Sequence, residues 1–495
     1  MLMTFKTHLL LFILPLLFQL STPQQGLSQS VNCPLMQVRL TTDGLVACQT
    51  ATYAVQYCNE GNLTAPAVRL TLTLPVGMTF QGSTPAPQSV FGNIVNYNLN
   101  TVAPGVCGSI ALRVQVPCNA AIGQAFCVRA SITPDNCLPT ANGWSGATLN
   151  VGSRCFGGGD SLLFTVRNHG TAPSTIMDYI ILEDHIIFRT GTIGGLGPDD
   201  TTNVTLYNVT GKTYTFQMAQ VPNHPLRRDL SLSAEGCGGL PTAGVLMQYP
   251  QYTGDPFTEV FCEAVTAAVA GNEKRGFPIG YQTPHYIEPN TVLQYRINFV
   301  NPGATTLNKV VITDTIPAAL DLNTLRTGPS SHPYTADLQG RILTLAFNDL
   351  NLPPGGRGFV SLFLQPLEGL NLPTAVLNRA YLSYENAVPI VSNAVMHTIG
   401  IKFLKTSAAD WTRHGLSLRM DPNPAADRVL IKVEGPTPPE IRHWRLFDSK
   451  GTLVKSGVST ANALTLDVAE LSTGVYFLQL QTDKGVTAGG KLFVQ

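Results

Sequence analysis

The chain of 495 residues has 31 Lys and Arg against 31 Asp and Glu, and only 13 % of it is charged, about half the ~25 % usual for soluble proteins. Balanced charge without a basic run excludes the concentrated positive face that nucleic-acid binding needs. The length excludes a single core and implies roughly three to four domains of about 100–150 residues each, and 44 % apolar content excludes wholesale disorder.

Turn formers are abundant, with 45 Gly and 35 Pro, which suits many short strands joined by loops. Eight cysteines crowd the first third, Cys33, Cys48, Cys58, Cys107, Cys118, Cys127, Cys137 and Cys155; Cys237 and Cys262 follow, and none comes later. An even number in an exported chain predicts disulfides with open connectivity. The rival is zinc, but no C-x2-C pair is present.

Residues 1–28 read as a signal peptide. Lys6 supplies the positive start, and Leu9 to Phe18 supply an apolar stretch that falls short of the roughly 20 residues a spanning helix takes. Gly26 and Ser28 offer small residues for cleavage, and Cys33 lacks a lipobox before it. No later apolar run reaches spanning length, so no transmembrane segment is expected in the mature chain.

Residues 31–153 are expected to form a Cys-rich β-sandwich. Val68, Leu70, Leu72 and Leu74 alternate with polar residues, as do Ile110, Leu112, Val114 and Val116. Each strand can then bury four aliphatic side chains on one face. Pro104-Gly105 marks a turn between them. Residues 154–255 predict a second sandwich, with Leu162, Phe164 and Val166 alternating up to Asn168-His169-Gly170. Tyr179 to Leu182, Ile186 to Phe188 and Asn203 to Leu206 read as strands. Gly191 to Asp200 read as a loop, because the glycines miss the phosphate-cradling spacing and no helix follows. Residues 256–275 read as a linker with Ala267, Ala268 and Ala270 helix-prone.

Residues 276–400 carry the clearest sandwich pattern. Gln294 to Leu322 lies without a gap on Thr52 to Phe80, placing Tyr295 on Tyr53, Asn301 on Asn59, Gly303 on Gly61 and Pro317 on Pro75. Both copies alternate, break at Asn-x-Gly, alternate again and stop at Pro, which is strand, turn, strand with one face buried. Pro354-Gly355 followed by Val360, Leu362 and Leu364 extends the duplication. A short linker, 401–415, leads to a last unit, 416–495. There Pro422-Asn423-Pro424 blocks ladder bonds and marks an entry turn. Asp448 to Gly451 reads as a hairpin turn, and Gly474, Val475 and Tyr476 open a buried strand.

Two stretches carry a resemblance. Residues 276–400, with VVITDTIPAALDL and GRILTLAFNDLNLPPG, resemble an uncharacterised repeat domain of exported Bacteroidetes proteins, within a wider group of immunoglobulin-like surface sandwiches. The chain departs from that family's Asp-Pro-Asn-Asp-Lys-like run, having Ala270-Gly271-Asn272-Glu273-Lys274 instead. Residues 31–255 resemble the module that commonly precedes this domain. The last unit resembles the type A C-terminal sorting domain of the type IX secretion system, on Pro422, Asn423, Pro424, Asp448, Gly451, Gly474, Tyr476 and Lys491. The resemblance implies passage through the periplasm to the outer cell surface or the medium. It also implies the secretion machinery as partner, and tail cleavage with release or attachment to surface lipopolysaccharide. The expected fold class is therefore all-β: tandem immunoglobulin-like β-sandwiches followed by a small C-terminal β-sandwich sorting domain.

Candidate chemistry is sparse. The nine histidines include no H-x-x-x-H pair and there is no G-x-S-x-G elbow. Glu183-Asp184-His185 is the densest titratable cluster, and a solvated strand end accounts for it better than a catalytic base does. Gly197-Pro198-Asp199-Asp200 offers oxygen ligands for calcium but reads better as a turn. Ser330 to Tyr334 with Tyr281, His285 and Tyr286 could make an aromatic sugar platform, against packed loops covering a sandwich end. The sequence thus predicts a non-enzymatic surface or secreted protein without cofactor, with adhesive modules that meet host or matrix glycans or proteins. The alternatives are a carbohydrate-binding surface protein and, behind it, a hydrolase with an unrecognised site.

Overall fold

A computed structural model describes residues 32–404 and 416–495, apart from 208, 227, 228, 386, 402, 449–451 and 484–486. The signal peptide, most of the 401–415 linker and Gly451 lie outside the described residues. Helix among them is confined to the single turns Gly157–Gly159 and Leu246–Gln248, and none is long and apolar enough to cross a membrane. The strands close around four main apolar cores.

In the first sandwich a four-stranded sheet, ordered Met36–Thr42, Thr50–Asn59, Cys107–Gln115, Thr79–Thr84, faces a six-stranded one. The aliphatic rows of the sequence meet between them: Val68, Leu70, Leu72, Ile110, Leu112, Val114 and Val116 are all fully buried. The six-stranded sheet corrects the sequence reading. Thr258–Thr266, read as part of a linker, is a strand, paired with Ala125–Thr133 so that Cys262 faces Cys127. Ala267 and Ala268 follow in a bend and Ala270 in irregular backbone, none of them in a helix. The second sandwich is therefore inserted between two strands of the first sandwich's sheet. No local pattern announces this, because the partner strand lies far upstream and both faces of Thr258–Thr266 are covered.

The inserted sandwich stacks Leu149–Phe156, Ser161–Asn168 and Thr201–Tyr207 against Ile186–Ile193, Met177–Glu183, Thr213–Met218 and Leu230–Glu235. A boundary at 153 would cut its first strand, Leu149–Phe156, which pairs along its whole length with Ser161–Asn168. The third sandwich begins at Lys274–Phe277, inside the expected linker, and that strand pairs with Leu293–Val300. Its core gathers Tyr295, Ile297, Phe299, Val310, Ile312, Val360, Leu362 and Leu364. The last unit is a smaller sandwich, three strands against four.

The Asn-x-Gly breaks are one corner built three times. Asn301 Nδ2 donates to the carbonyls of Thr305 and Leu352, both at 2.8 Å, while its Oδ1 accepts from Gly303 N at 2.9 Å. Asn59 does the same with Leu63, Val102 and Gly61, and Asn168 with Ala172, Leu196 and Gly170. Each corner carbonyl also accepts from the facing turn, at Gly105, Asp199 or Gly355. Asp199 therefore occupies the position of the two glycines, and all three share a positive φ, 66°, 71° and 71°. The candidate calcium loop is thereby a turn: Asp199 pairs with Arg167 at 2.8 Å, and Asp200 accepts from Gly197 N at 2.8 Å.

Ten cysteines make five disulfides: Cys33–Cys137, Cys48–Cys118, Cys58–Cys107, Cys127–Cys262 and Cys155–Cys237. Cys58–Cys107 and Cys127–Cys262 bridge facing positions on neighbouring strands, and the latter fastens the returning strand to the sheet it completes.

One-face burial fails at Leu293–Val300, where both faces are covered. Its polar side chains point at the first sandwich instead of at water. Gln294 Nε2 donates to Leu40 O at 3.0 Å, Arg296 to Thr42 O at 2.8 Å, and Asn298 to Asp43 O at 3.3 Å. Arg296 also pairs with Glu263, both only 1 % exposed, and Glu263 takes a second bond of 2.9 Å from Arg275. The returning strand thus supplies the carboxylate that joins the first and third sandwiches.

His397 lies wholly buried in the third sandwich, its Nε2 donating to Pro278 O at 3.0 Å and its Nδ1 unpartnered. Burial pushes its pKa down to about 4. Because the folded value lies below the unfolded one, the unfolded chain binds more protons between them. The contribution of His397 to stability should fall as pH drops from about 6.5 towards 4, by up to ~1.4 kcal/mol per unit. Denaturant titrations at several pH values should show His397→Gln losing this part of the wild-type dependence. Glu235, whose carboxyl is pushed up to about 7 by burial, contributes with the opposite sign in both.

Candidate functional site

Two regions qualify. The first is a cleft of about 310 Å³ between the inserted and third sandwiches, lined by Tyr249, Tyr252, Tyr281, Tyr286 and Phe403. Asp178, Gln217, Asp229, Glu288 and Asn290 supply its polar groups. Leu246–Gln248 and the segment after it carry Tyr249 to the wall, and the isolated bridge Tyr281 to Tyr286 sets the opposite side. Phe403, at the start of the linker, stacks on Tyr286 at 5.3 Å with an interplanar angle of 8°, and lies 5.7 Å from Tyr281. The Tyr281 hydroxyl donates to His185 O at 2.8 Å and the Tyr249 hydroxyl to Asp184 O at 3.0 Å. Burial raises the Tyr249 pKa well above the usual phenol range, so the group stays a neutral donor.

The cleft assembles only part of the expected aromatic platform. Tyr281 and Tyr286 line it, and His285 adjoins it in the same turn. Ser330 to Tyr334 do not join them: Tyr334 packs on Phe347 at 5.4 Å within the third core, and Ser331 accepts or donates to His332 Nδ1 at 2.8 Å and accepts from Phe359 N. Tyr249, Tyr252 and Phe403 escaped sequence reading because their separation along the chain hides a shared wall. Glu183-Asp184-His185 sits at the back of this region and is spent on structure. Glu183 accepts from the Tyr214 hydroxyl at 2.6 Å and pairs with Arg445 of the last unit at 3.0 Å. Asp184 pairs with Lys212 at 3.0 Å, and His185 meets Gln248 at 3.1 Å. Among the described residues no group of three or more His, Cys, Asp or Glu is placed to hold a metal.

The second region is the tail. Asn423 Nδ2 donates to Lys491 O at 2.8 Å and its Oδ1 accepts from Phe493 N at 2.8 Å. Pro422-Asn423-Pro424 thus clamps the closing strand Thr487–Val494, and Ala425 bridges in parallel to Val494. Gly474 and Tyr476 face Val494 and Leu492 on that same strand, and the Tyr476 hydroxyl donates to Ser472 O at 2.8 Å. Asp448 caps its turn by accepting from Thr452 N at 2.8 Å. Lys491 lies over the Phe477 ring, 5.9 Å from its centroid, and that ring remains 42 % exposed. Most of the quoted tail residues therefore hold one element, the C-terminal strand.

These features define an all-β protein of tandem sandwiches that ends in a small C-terminal sandwich. Residues 272–398 match the domain of unknown function (DUF7619), and residues 420–495 match the secretion system C-terminal sorting domain. The chain carries the sorting domain of type IX export and is directed to the cell surface or the medium. No curated protein matches it. Among solved structures it is similar to the major pilin subunit BcpA of Bacillus cereus, at 12 % identity and TM-score 0.22 over 66 % of this chain and 91 % of that one. It is also similar to the collagen-binding domain of a Staphylococcus aureus adhesin, at 12 % identity and TM-score 0.19, over 27 % of this chain and 99 % of that one. The collagen adhesin (CNA) of S. aureus follows at 8 % identity and TM-score 0.20, over 75 % of this chain and 93 % of that one.

Proposed function

We propose that the protein is a non-enzymatic structural and adhesive module of the cell surface or its surroundings. The observation that carries this reading is the interlocked build. One sandwich is inserted into another, and the returning strand is fastened by Cys127–Cys262 and joined to the third sandwich by Glu263. Such a body holds loops and sheet edges at fixed positions away from the cell, where a host or matrix protein or glycan can meet them. The exposed edge strand Ser89–Phe91, with Phe91 82 % exposed, is one such contact. Sorting by residues 416–495 delivers it, with Pro422, Asn423, Pro424, Gly474, Tyr476 and Lys491 shaping the strand that the machinery reads. Cells lacking the protein should attach less to matrix-coated surfaces, and purified protein added back should compete with wild-type cells. Unchanged attachment on every surface would reject the adhesive reading.

The cleft favours carbohydrate as a second ligand class, since tyrosine rings beside carboxylates and amides suit sugar faces and hydroxyls. A glycan array with the full chain tests this, and Tyr252→Ala should lose whatever binding appears. No binding on the array would end the reading.

A further inference from the structure

The third sandwich buries reactive groups that packing alone does not require. Lys274 and Asp314 form an ion pair in which both side chains are fully buried, an arrangement that seldom stabilises more than apolar residues would. The Lys274 Nζ lies 4.7 Å from the Tyr295 ring centroid, and the Tyr295 hydroxyl and Asp314 Oδ1 have no hydrogen-bond partner. Asn378 is 2 % exposed, and neither its Oδ1 nor its Nδ2 has a partner. A buried carboxamide with all its bonding capacity unused is costly and calls for a reason.

Strand pairing brings Asn378 to the same place. Ala380, two residues on, pairs with Asp314. Asn378 pairs with Val395, which lies against Gly276, two residues beyond Lys274. Asn393 holds the Lys274 backbone by bonds of 2.8 and 2.9 Å. The buried amine and carboxyl group thus meet beside an aromatic ring, and the strand pairings place the buried carboxamide on the neighbouring strand of the same core.

We propose that Lys274 Nζ and Asn378 Cγ are joined by an intramolecular isopeptide bond, with Asp314 as the proton carrier. Desolvation pushes the Lys274 pKa down against the opposing pull of Asp314, which favours the free amine, and in the proposed step the ammonium proton passes to the paired carboxylate. The free amine then attacks Cγ while protonated Asp314 donates to the amide oxygen. The Cγ–Nδ2 bond breaks, and Nδ2 departs as ammonia carrying a proton that came from Nζ. Of the three ammonium protons, one stays on the new amide, one leaves with ammonia and one is held by Asp314. Nothing is oxidised or reduced. The bond ties the first strand of the domain to Thr374–Asn378 near its end, so tension between the upstream sandwiches and the tail would run through a covalent link.

The full-length protein, reduced, alkylated and digested with trypsin, gives the test by peptide mass. Expected is one branched species joining the peptide ending at Arg275 to the peptide ending at Arg379, lighter than their sum by one ammonia, about 17 Da. Cleavage after Lys274 should be absent, because an acylated lysine is not cut. Asp314→Asn, which keeps the shape of the side chain, should leave the two peptides separate. Two linear peptides of unchanged mass from the wild-type protein would overturn the bond. A link from Lys274 to Asp314 with loss of water would overturn the assignment to Asn378. Full linkage in Asp314→Asn would overturn the proton-carrier role.

Discussion

Glu263→Ala is expected to cost about 3–5 kcal/mol, because it strands the Arg296 guanidinium in a site only 1 % exposed. Arg296 would keep its bond to Thr42 O but lose its buried counter-charge, and Arg275 would lose one of its two carboxylates. The loss should appear as a lower thermal transition of the first and third sandwiches together, since the carboxylate belongs to one and the guanidinium to the other. Pairing it with Arg296→Met should recover most of the stability, because two apolar groups leave no charge unpaired. Equal melting of wild type and Glu263→Ala would show that the ion pair does not join the sandwiches.

The second large effect is expected at the Asn-x-Gly corners. Asn301→Ala removes three hydrogen bonds of 2.8 to 2.9 Å and leaves the Leu352 carbonyl without its side-chain partner. Roughly 2–4 kcal/mol should be lost, by denaturant unfolding followed through the third sandwich. Asn301→Asp should be worse than Ala, since it aims a carboxylate oxygen at the two carbonyls that Nδ2 now serves. Asn59 and Asn168 should rank the same way in their own sandwiches, because their bonding is the same. An Asp substitution milder than Ala at any corner would reject this account of the motif.

Much of this was legible because its cause is local. Val68, Leu70, Leu72 and Leu74 alternate along a strand whose other face is polar, so the pattern states which side is buried. The three corners announce themselves because Asn, its Gly two residues on and one of the carbonyls the Asn serves lie within five residues of one another, while the second carbonyl comes from a distant segment. The tail is legible for a related reason: Asn423 must reach Lys491 and Phe493, and each side of that clamp has its own local signature.

The cleft was only half visible. Tyr281 and Tyr286 are neighbours in one turn, but Tyr249, Tyr252 and Phe403 come to the wall from either side of the third sandwich. The Lys274, Asp314 and Asn378 pocket was invisible, since its members sit on separate strands of different sheets.

The sequence by itself determined the all-β class, the repeated sandwich unit, the export tail and an oxidised, even cysteine set, because alternation, turn chemistry and composition act over a few residues. Only the tertiary structure decided that one sandwich is inserted into another, which cysteines pair, and that Gln294, Arg296 and Asn298 face protein where water was expected. Those outcomes depend on which surfaces cover one another, and a polar residue against solvent reads the same along the chain as a polar residue against a neighbouring domain.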